Sequence, residues 1–274
     1  MLHSFPTQRA RLRVRNPAGD VRIDTTEASE TTVELVALND SDSTRQAIEK
    51  ANVGARGDEV FVELEGRSWS ISIGNWGISG SPKVSVRITC PHGSTLECDT
   101  ASADVFATGP LGDARIRTAS GDLQLERIEG ALEAKGASGD VHVERVGGRA
   151  TVSTVSGDVH VGEALAGLDV NSVSGDVHTG EITGDLTVKS VSGDHRIRAA
   201  GPGQIDLKAV SGDVQVAIRR GLRVRLDVNS VSGSIGSELD VGDAPTGGDR
   251  PEAALRVRTV SGDVKIARAA ETFA

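Results

Sequence analysis

Apolar and polar residues alternate in short runs over most of the chain, and glycine interrupts these runs at short intervals. In one such run, Leu186 and Val188 alternate with Asp185, Thr187 and Lys189. A period of two with many β-branched residues is typical of strands, and glycine falls too often for a helical apolar stripe to persist. The pattern therefore predicts an all-β protein.

A three-residue motif, Ser-Gly-Asp, recurs along the chain. Its aspartates, with that of a degenerate Ser-Ala-Asp copy, are Asp104, Asp122, Asp140, Asp158, Asp176, Asp194, Asp213 and Asp263. Neighbours from Asp104 to Asp194 are 18 residues apart, and Ser234 closes a further copy between the last two aspartates. Two short strands fit in each step, so the sequence predicts a parallel β-solenoid with 18-residue coils of two strands each.

Equivalent positions of the repeat form aliphatic columns that we expect to stack inside the solenoid. One column is Leu123, Val141, Val159, Val177, Val214 and Val264. The chain has four Phe, two Trp and no Tyr, as expected where branched aliphatic side chains fill a narrow interior. His195 occupies a valine position, which indicates either a tolerated imidazole near the corner or a local shift of register.

The aspartate at each turn can accept a hydrogen bond from a nearby backbone N–H, and the glycine suits a positive φ. Such a column places unit charges about 4.8 Å apart, where they repel by roughly 0.9 kcal/mol in water, and one turn hydrogen bond can offset this. We therefore interpret the eight aspartates as a structural turn ladder. The alternative is a calcium ladder, but one aspartate per 18 residues supplies few ligands, and we predict weak or no calcium binding.

Three histidines, His142, His160 and His178, occupy one outward position on successive repeats, and Arg196 takes the next. Imidazoles one coil apart could share a Zn²⁺ or Ni²⁺ ion. Because no carboxylate completes a ligand set there, we favour a solvated polar column and predict no metal site. The weak-binding alternative would be excluded if His160→Ala left the affinity for these ions unchanged.

The first 100 residues lack the full repeat and predict a strand followed by an irregular cap region, before the solenoid of residues 101–268. An isolated Ala-Gly-Asp at residues 18–20 indicates that the N-terminus also joins the stack. Ser43 and Gln46 form a capping box for a short helix at about residues 43–52. Trp69 and Trp76 favour a hairpin that closes the end of the core, within one structural domain overall.

An insertion between the last two repeats, Ser237–Pro251, is rich in glycine and aspartate and predicts a projecting loop that could contact a partner.

Cys90 and Cys98 are too few for a disulfide scaffold, and we expect buried free thiols.

Charge and hydropathy exclude several classes of protein. A formal charge of −9 argues against nucleic-acid binding. No apolar run is long enough for a membrane helix, and the N-terminus lacks the apolar core of a signal peptide, so we expect a cytoplasmic protein without a membrane span. No nucleotide-binding or nucleophile motif stands out, and identical aspartates along a ladder do not form a distinct acid and base. We predict no enzyme activity, no cofactor and no catalytic residues.

The SVSGDV and TVSGDV repeats, preceded by VSVRITCPHGSTLECDTASADV, resemble the bacterial putative-adhesin family, which carries a β-strand-repeat domain of unknown function. The resemblance covers roughly residues 10–268 and implies a right-handed β-solenoid. It also implies a scaffold linked to the envelope or to stress responses, and it supplies no catalytic residues. Many relatives carry a membrane segment or signal, and we expect this chain to have neither.

We therefore expect a non-catalytic scaffold that binds an unknown protein or an envelope component, with envelope association through that partner. One alternative is a filament that assembles through the solenoid ends. A carbohydrate-binding or carbohydrate-active β-helix would require Trp69 and Trp76 to be exposed in a groove.

Overall fold

The computed structural model describes residues 2–64, 82–239 and 251–270. They are almost entirely β-structure, with one helix, α1 (Asp42–Glu49). The chain divides into two compact units, Met1–Gly139 and Asp140–Ala274. No helix in the described ranges is both long and apolar enough to cross a membrane.

Two long strands organise the first unit, and their parallel register runs from Arg11 opposite Thr95 to Asp24 opposite Thr108. Each of the two follows more than one side of a coil, so its two halves pair with different neighbours. Ala18 lies opposite Ser102, which confirms that the early Ala-Gly-Asp copy joins the stack. The strands of this unit are β1 (Leu2–Pro6), β2 (Arg11–Thr26), β3 (Glu30–Ala37), β4 (Asn52–Arg56), β5 (Glu59–Glu63), β6 (Val84–Pro91), β7 (Thr95–Leu111), β8 (Ala114–Arg117), β9 (Leu123–Ile128) and β10 (Leu132–Lys135).

The segment before residue 100 is regular where it is described, in contrast to the predicted irregular cap. Antiparallel strands flank the first parallel coil: β1 pairs with β3, β3 with β6, and β4 with β5. Alternating residues such as Val33 and Leu35 are buried, so this segment fits strands despite lacking the 18-residue repeat. Without these antiparallel strands, the coil would have an open sheet edge with unpaired backbone N–H and C=O groups.

Helix α1 begins one residue before the predicted start and ends at Glu49. The predicted capping box of Ser43 and Gln46 is wrong, because the N-cap is Ser41. Ser41 has the extended backbone that an N-cap requires, and its Oγ accepts the Thr44 N–H at 3.2 Å.

The second unit is built from two parallel ladders of short strands. Val141, Val159 and Val177 lie directly beside one another in successive strands of one ladder, which confirms a β-solenoid with stacked equivalent residues. The strands of the unit are β11 (Val141–Val146), β12 (Ala150–Ser156), β13 (Val159–Ala164), β14 (Leu168–Ser174), β15 (Val177–Ile182), β16 (Leu186–Lys189), β17 (His195–Ala200), β18 (Gly203–Ser211), β19 (Val214–Ile218), β20 (Arg223–Ser232), β21 (Ile235–Ser237), β22 (Glu252–Ser261) and β23 (Val264–Arg268).

The last two coils are exchanged relative to their order in the sequence. Strand β22 pairs with β18 on one side and with β20 on the other, and β23 lies in the same way between β19 and β21. Val214 therefore stacks on Val264, which in turn stacks on Ile235. The Asp263 copy therefore lies between the Asp213 and Ser234 copies, in contrast to their order along the chain.

The aliphatic columns form the core of each unit, and most of their members are fully buried. Coil β20–β21 is different, because Leu226 is 39 % exposed and Ile235 is 50 % exposed, whereas Leu255 in the adjacent coil is 1 % exposed. This coil ends the stack within the described part of the second unit, and its inward side chains are covered on one side only.

Candidate binding surface

The turn ladder is a chain of hydrogen bonds between successive corners. In the first unit, the Asp122 N–H donates to Asp104 Oδ1 at 2.9 Å. In the second unit each donor N–H likewise meets the carboxylate of the preceding coil at 2.8–2.9 Å, in the order Asp140, Asp158, Asp176, Asp194, Asp213, Asp263 and Ser234. Each of these carboxylates thus receives a backbone hydrogen bond that can offset repulsion between neighbouring charges.

The ladder ends at Ser234, the one member in the second unit that is not an aspartate. Its backbone N–H donates to Asp263 Oδ1 at 2.8 Å. This hydrogen bond, with a second from the Ser234 side chain, lowers the pKa of the Asp263 carboxyl. A terminal member needs no acceptor for a following coil, so serine suffices there.

We expect Asp176→Ala to lower the free energy of unfolding by about 1–2 kcal/mol, because the Asp194 N–H loses a charged acceptor at a partly exposed corner. Asp176→Asn retains an amide oxygen and removes one repelling charge, so it should cost less than half as much. Urea denaturation of the two variants measures this. Equal losses would show that the carboxylate contributes charge rather than a hydrogen bond.

Beside the ladder, a polar column runs along the outer face of the second unit. The rings of His142 and His160 are stacked with centroids 4.7 Å apart, and His160 meets His178 edge-on at 6.5 Å. Arg196 Nη1 lies 2.9 Å from His178 Nε2. Partial burial, and then the neighbouring histidines and Arg198, lower the pKa of His160. The histidine rings of the column are therefore close-packed.

The stacked rings do not by themselves form a metal site. An imidazole nitrogen binds a metal in the plane of its ring. The planes of His142 and His160 are nearly parallel, at 8°, so the two stacked rings do not direct their nitrogens toward one ion. Within the described ranges, no group of three or more His, Cys, Asp or Glu residues could hold a metal ion. That the histidine column holds no metal ion, and that the ladder binds calcium weakly or not at all, stay predictions.

An exposed row of valines, which we call the valine row, precedes the corners of the second unit. Sequence reasoning missed it, although a valine at an outward position precedes each Ser-Gly-Asp from Asp158 onward and was a visible signal. Five members are 46–52 % exposed and the last is 78 % exposed, in the spatial order Val155, Val173, Val191, Val210, Val260 and Val231. At about 4.8 Å per coil the row extends roughly 24 Å.

Polar side chains border the valine row on both sides. Ser174 and its equivalents follow the valines and are exposed, while Lys189 and Arg258 lie on the preceding outward position. In the first unit, the position of the valines is taken by Ala101, Ala119 and Ala137. A continuous apolar strip with a polar rim is typical of a surface that contacts a partner.

An inward column of Ser and Thr side chains close to the corners bonds to backbone groups. Ser172 Oγ donates to the Ser174 carbonyl at 3.2 Å, and Thr154 and Thr259 make the equivalent bond at 3.3 Å. Ser190 differs, because its Oγ lies 2.8 Å from His195 Nε2.

His195 is fully buried in the valine column, with Val177 and Val214 directly beside it in register. It is therefore a tolerated imidazole, and the register shift in this strand comes later, between Ile197 and Ala200. Its Nδ1 has no hydrogen-bond partner. Burial lowers the pKa of His195 to about 4, although Asp194 and Asp176 act in the opposite direction.

Cys90 and Cys98 are buried and free, as predicted. Burial raises the pKa of Cys90 to about 11 and that of Cys98 to about 12. Because thiolates are the reactive form, both cysteines are unreactive at neutral pH.

A groove of about 410 Å³ lies on the outer face of the last coils. It is open because Gly236 has no side chain where the polar column otherwise carries Gln215 and Lys265. Lys265 Nζ pairs with Glu238 Oε1 at 3.0 Å at its margin.

Trp69, Trp76 and residues 240–250 of the predicted contact loop lie outside the described residues.

A family model described as Toastrack DUF4097 matches residues 9–267. Among solved structures, a "putative adhesin" from Bacteroides fragilis is 12 % identical, with a TM-score of 0.45, covering 97 % of this chain and 96 % of that chain. A "putative lipid binding protein" from Parabacteroides distasonis is 11 % identical, with a TM-score of 0.44, covering 98 % and 96 %. No curated protein matches the chain.

Proposed function

Because this chain belongs to the Toastrack DUF4097 family, a family of domains of unknown function, we propose that it is a non-catalytic scaffold that binds a partner protein or an envelope component. The valine row is the contact surface in this proposal. We include the right-handed winding and the 18-residue coil in the proposal. Parallel pairing of equivalent strands repeats each exposed position at about 4.8 Å along the axis.

The exposure of the valine row is the observation that supports this function. Six valines in equivalent positions leave about half or more of their surfaces in water, while the inward valines of the first five of these coils are buried. Covering such side chains releases free energy in proportion to the apolar area removed from water. A partner with a flat apolar strip would gain this free energy from all six valines in one contact.

The arrangement of polar groups also favours a scaffold over an enzyme. The ladder carboxylates of the second unit share one environment, each with a backbone N–H at 2.8–2.9 Å, and catalysis needs an acid and a base with different environments. The proposal places the protein in the cytoplasm, with envelope association through its partner. A carbohydrate-binding role depends on Trp69 and Trp76 and has no support among the described residues.

A triple variant, Val173→Thr, Val191→Thr and Val210→Thr, tests the valine row. Threonine keeps the shape and strand preference of valine but adds a hydroxyl to the surface. We expect the variant to lose most of the envelope-extract proteins that the immobilised wild type retains, with an unchanged urea midpoint.

Leu165→Thr provides the matched control, because Leu165 is 41 % exposed but lies outside the valine row. This control should retain the same proteins as the wild type. Identical retention by the triple variant and the wild type would contradict the proposal.

A further inference from the structure

Coil β20–β21 leaves one edge of a ten-residue strand available. The described strand pairings give β20 a single partner, β22, along one of its edges. Backbone N–H and C=O groups on the other edge can therefore pair with an additional strand. Coil β20–β21 also carries the most exposed members of the aliphatic columns.

The side chains of this coil indicate that an apolar partner is missing. Leu226 is 39 % exposed and Ile235 is 50 % exposed, although they stack on Leu255 and Val264, which are 1 % exposed. Val231 is 78 % exposed against 50 % for Val260 beside it. A strand added to β20 would cover Leu226 on its open side.

We propose that the added strand is β20 of a second copy of this chain, antiparallel and centred on Leu226. In this register Leu226 lies opposite its own equivalent, and Val224 lies opposite Val228 of the other copy. Arg225 then lies opposite Asp227 of the other copy, twice by symmetry. Directly opposed residues point to the same face of a sheet, so apolar meets apolar inside and opposite charges meet outside.

Other symmetric registers fit less well. A pairing centred on Asp227 puts the two carboxylates opposite each other, and one centred on Arg225 opposes two guanidinium groups. Centring on Val228 places Leu226 opposite Ser230. Any register centred between two residues brings outward side chains of one copy against inward ones of the other, which a half-buried sheet does not tolerate.

The charged pair is accessible for such a contact. Arg225 has an 80 % exposed side chain, and its nearest acidic partner, Glu252, is 3.9 Å away. Asp227 is 59 % exposed and receives one hydrogen bond from Arg256 at 3.0 Å, so oxygen positions of the carboxylate remain open.

The expected product is a closed dimer and not a filament, because the same surface is used by both copies and is then consumed. This inference goes beyond the scaffold function, and its contact involves none of the three valines changed in the triple variant. Loss of partner capture and loss of dimerisation are therefore separate outcomes, and the triple valine variant should still dimerise.

Complementary charge variants test the register. Arg225→Asp alone places two aspartates opposite each other at both symmetric sites, and Asp227→Arg alone places two arginines there. We expect each variant alone to dimerise at least about tenfold more weakly than the wild type in sedimentation velocity runs at about 100 μM. An equimolar mixture should recover dimers, because the introduced aspartate of one variant then faces the introduced arginine of the other. At the second symmetric site the unchanged Arg225 faces the unchanged Asp227.

Arg223→Asp is the matched control, since Arg223 lies opposite the neutral Asn229 in this register and should leave the dimer within about threefold. Circular dichroism and urea midpoints equal to those of the wild type show that all variants are folded. A monomeric wild type, filaments, or a mixture that stays monomeric would each overturn the proposal.

Discussion

We expect the stability advantage of a His195→Val variant over the wild type to grow by about 3 kcal/mol between pH 7 and pH 4. The folded-state pKa of His195 is lowered from 6.5 to about 4 by burial. Above pH 6.5 the imidazole is neutral in both the folded and the unfolded chain, so its titration does not lower the free energy of unfolding. As the pH falls from 6.5 to about 4, the unfolded chain binds a proton that the folded chain excludes, so stability is lost.

At neutral pH the same variant should be at least as stable as the wild type. Valine fits the column, as Val177 and Val214 show, and it removes a buried Nδ1 that has no partner. Ser190 loses its bond to the imidazole, but Ser172 in the preceding coil bonds to the carbonyl two residues onward, and Ser190 can do the same.

Urea denaturation of both proteins at several pH values measures the effect. His92→Gln is the control, because His92 is exposed and lies outside both the valine column and the histidine column. Carboxylates contribute to acid lability equally in all three proteins. Parallel curves for wild type and His195→Val would show that His195 titrates normally in the fold.

The stacked core could be predicted from sequence because a fixed repeat specifies which residues meet. Once Val141, Val159 and Val177 are 18 residues apart, only one alignment puts every aliphatic residue inside. The antiparallel strands before residue 100 carry no such repeat. Their partners depend on long-range pairing that local alternation cannot specify.

The exchange of the last two coils could not be predicted from the aliphatic pattern. Val214 can stack equally well on Ile235 or Val264, so the column gives no preference. A signal was present in the turn ladder, where Ser234 replaces aspartate in the coil that ends the stack. The valine row could not be recognised for a different reason. The alternation of residues along a strand identifies buried positions, but it does not identify which outward positions form a contact surface.

A Gly193→Ala substitution should produce one of the largest losses of stability in the chain, about 3 kcal/mol or more. Gly193 has a φ of +126°, which side chains rarely adopt, and a Cβ there would overlap the carbonyl oxygen of Gly175 in the preceding coil. Neither backbone can move away easily. The Gly193 N–H is bonded to the Ser211 carbonyl at 3.1 Å, and the aspartate ladder joins the same corners.

Gly221→Ala separates the two causes, because Gly221 also has a positive φ of +81° but nothing lies within 4 Å of its added Cβ. We expect it to cost about 1–2 kcal/mol from the backbone conformation alone. The difference between the two variants in urea denaturation then measures how rigidly the ladder holds neighbouring corners together. Equal losses would mean that the coils can separate to admit a methyl group, and that the ladder does not fix their spacing.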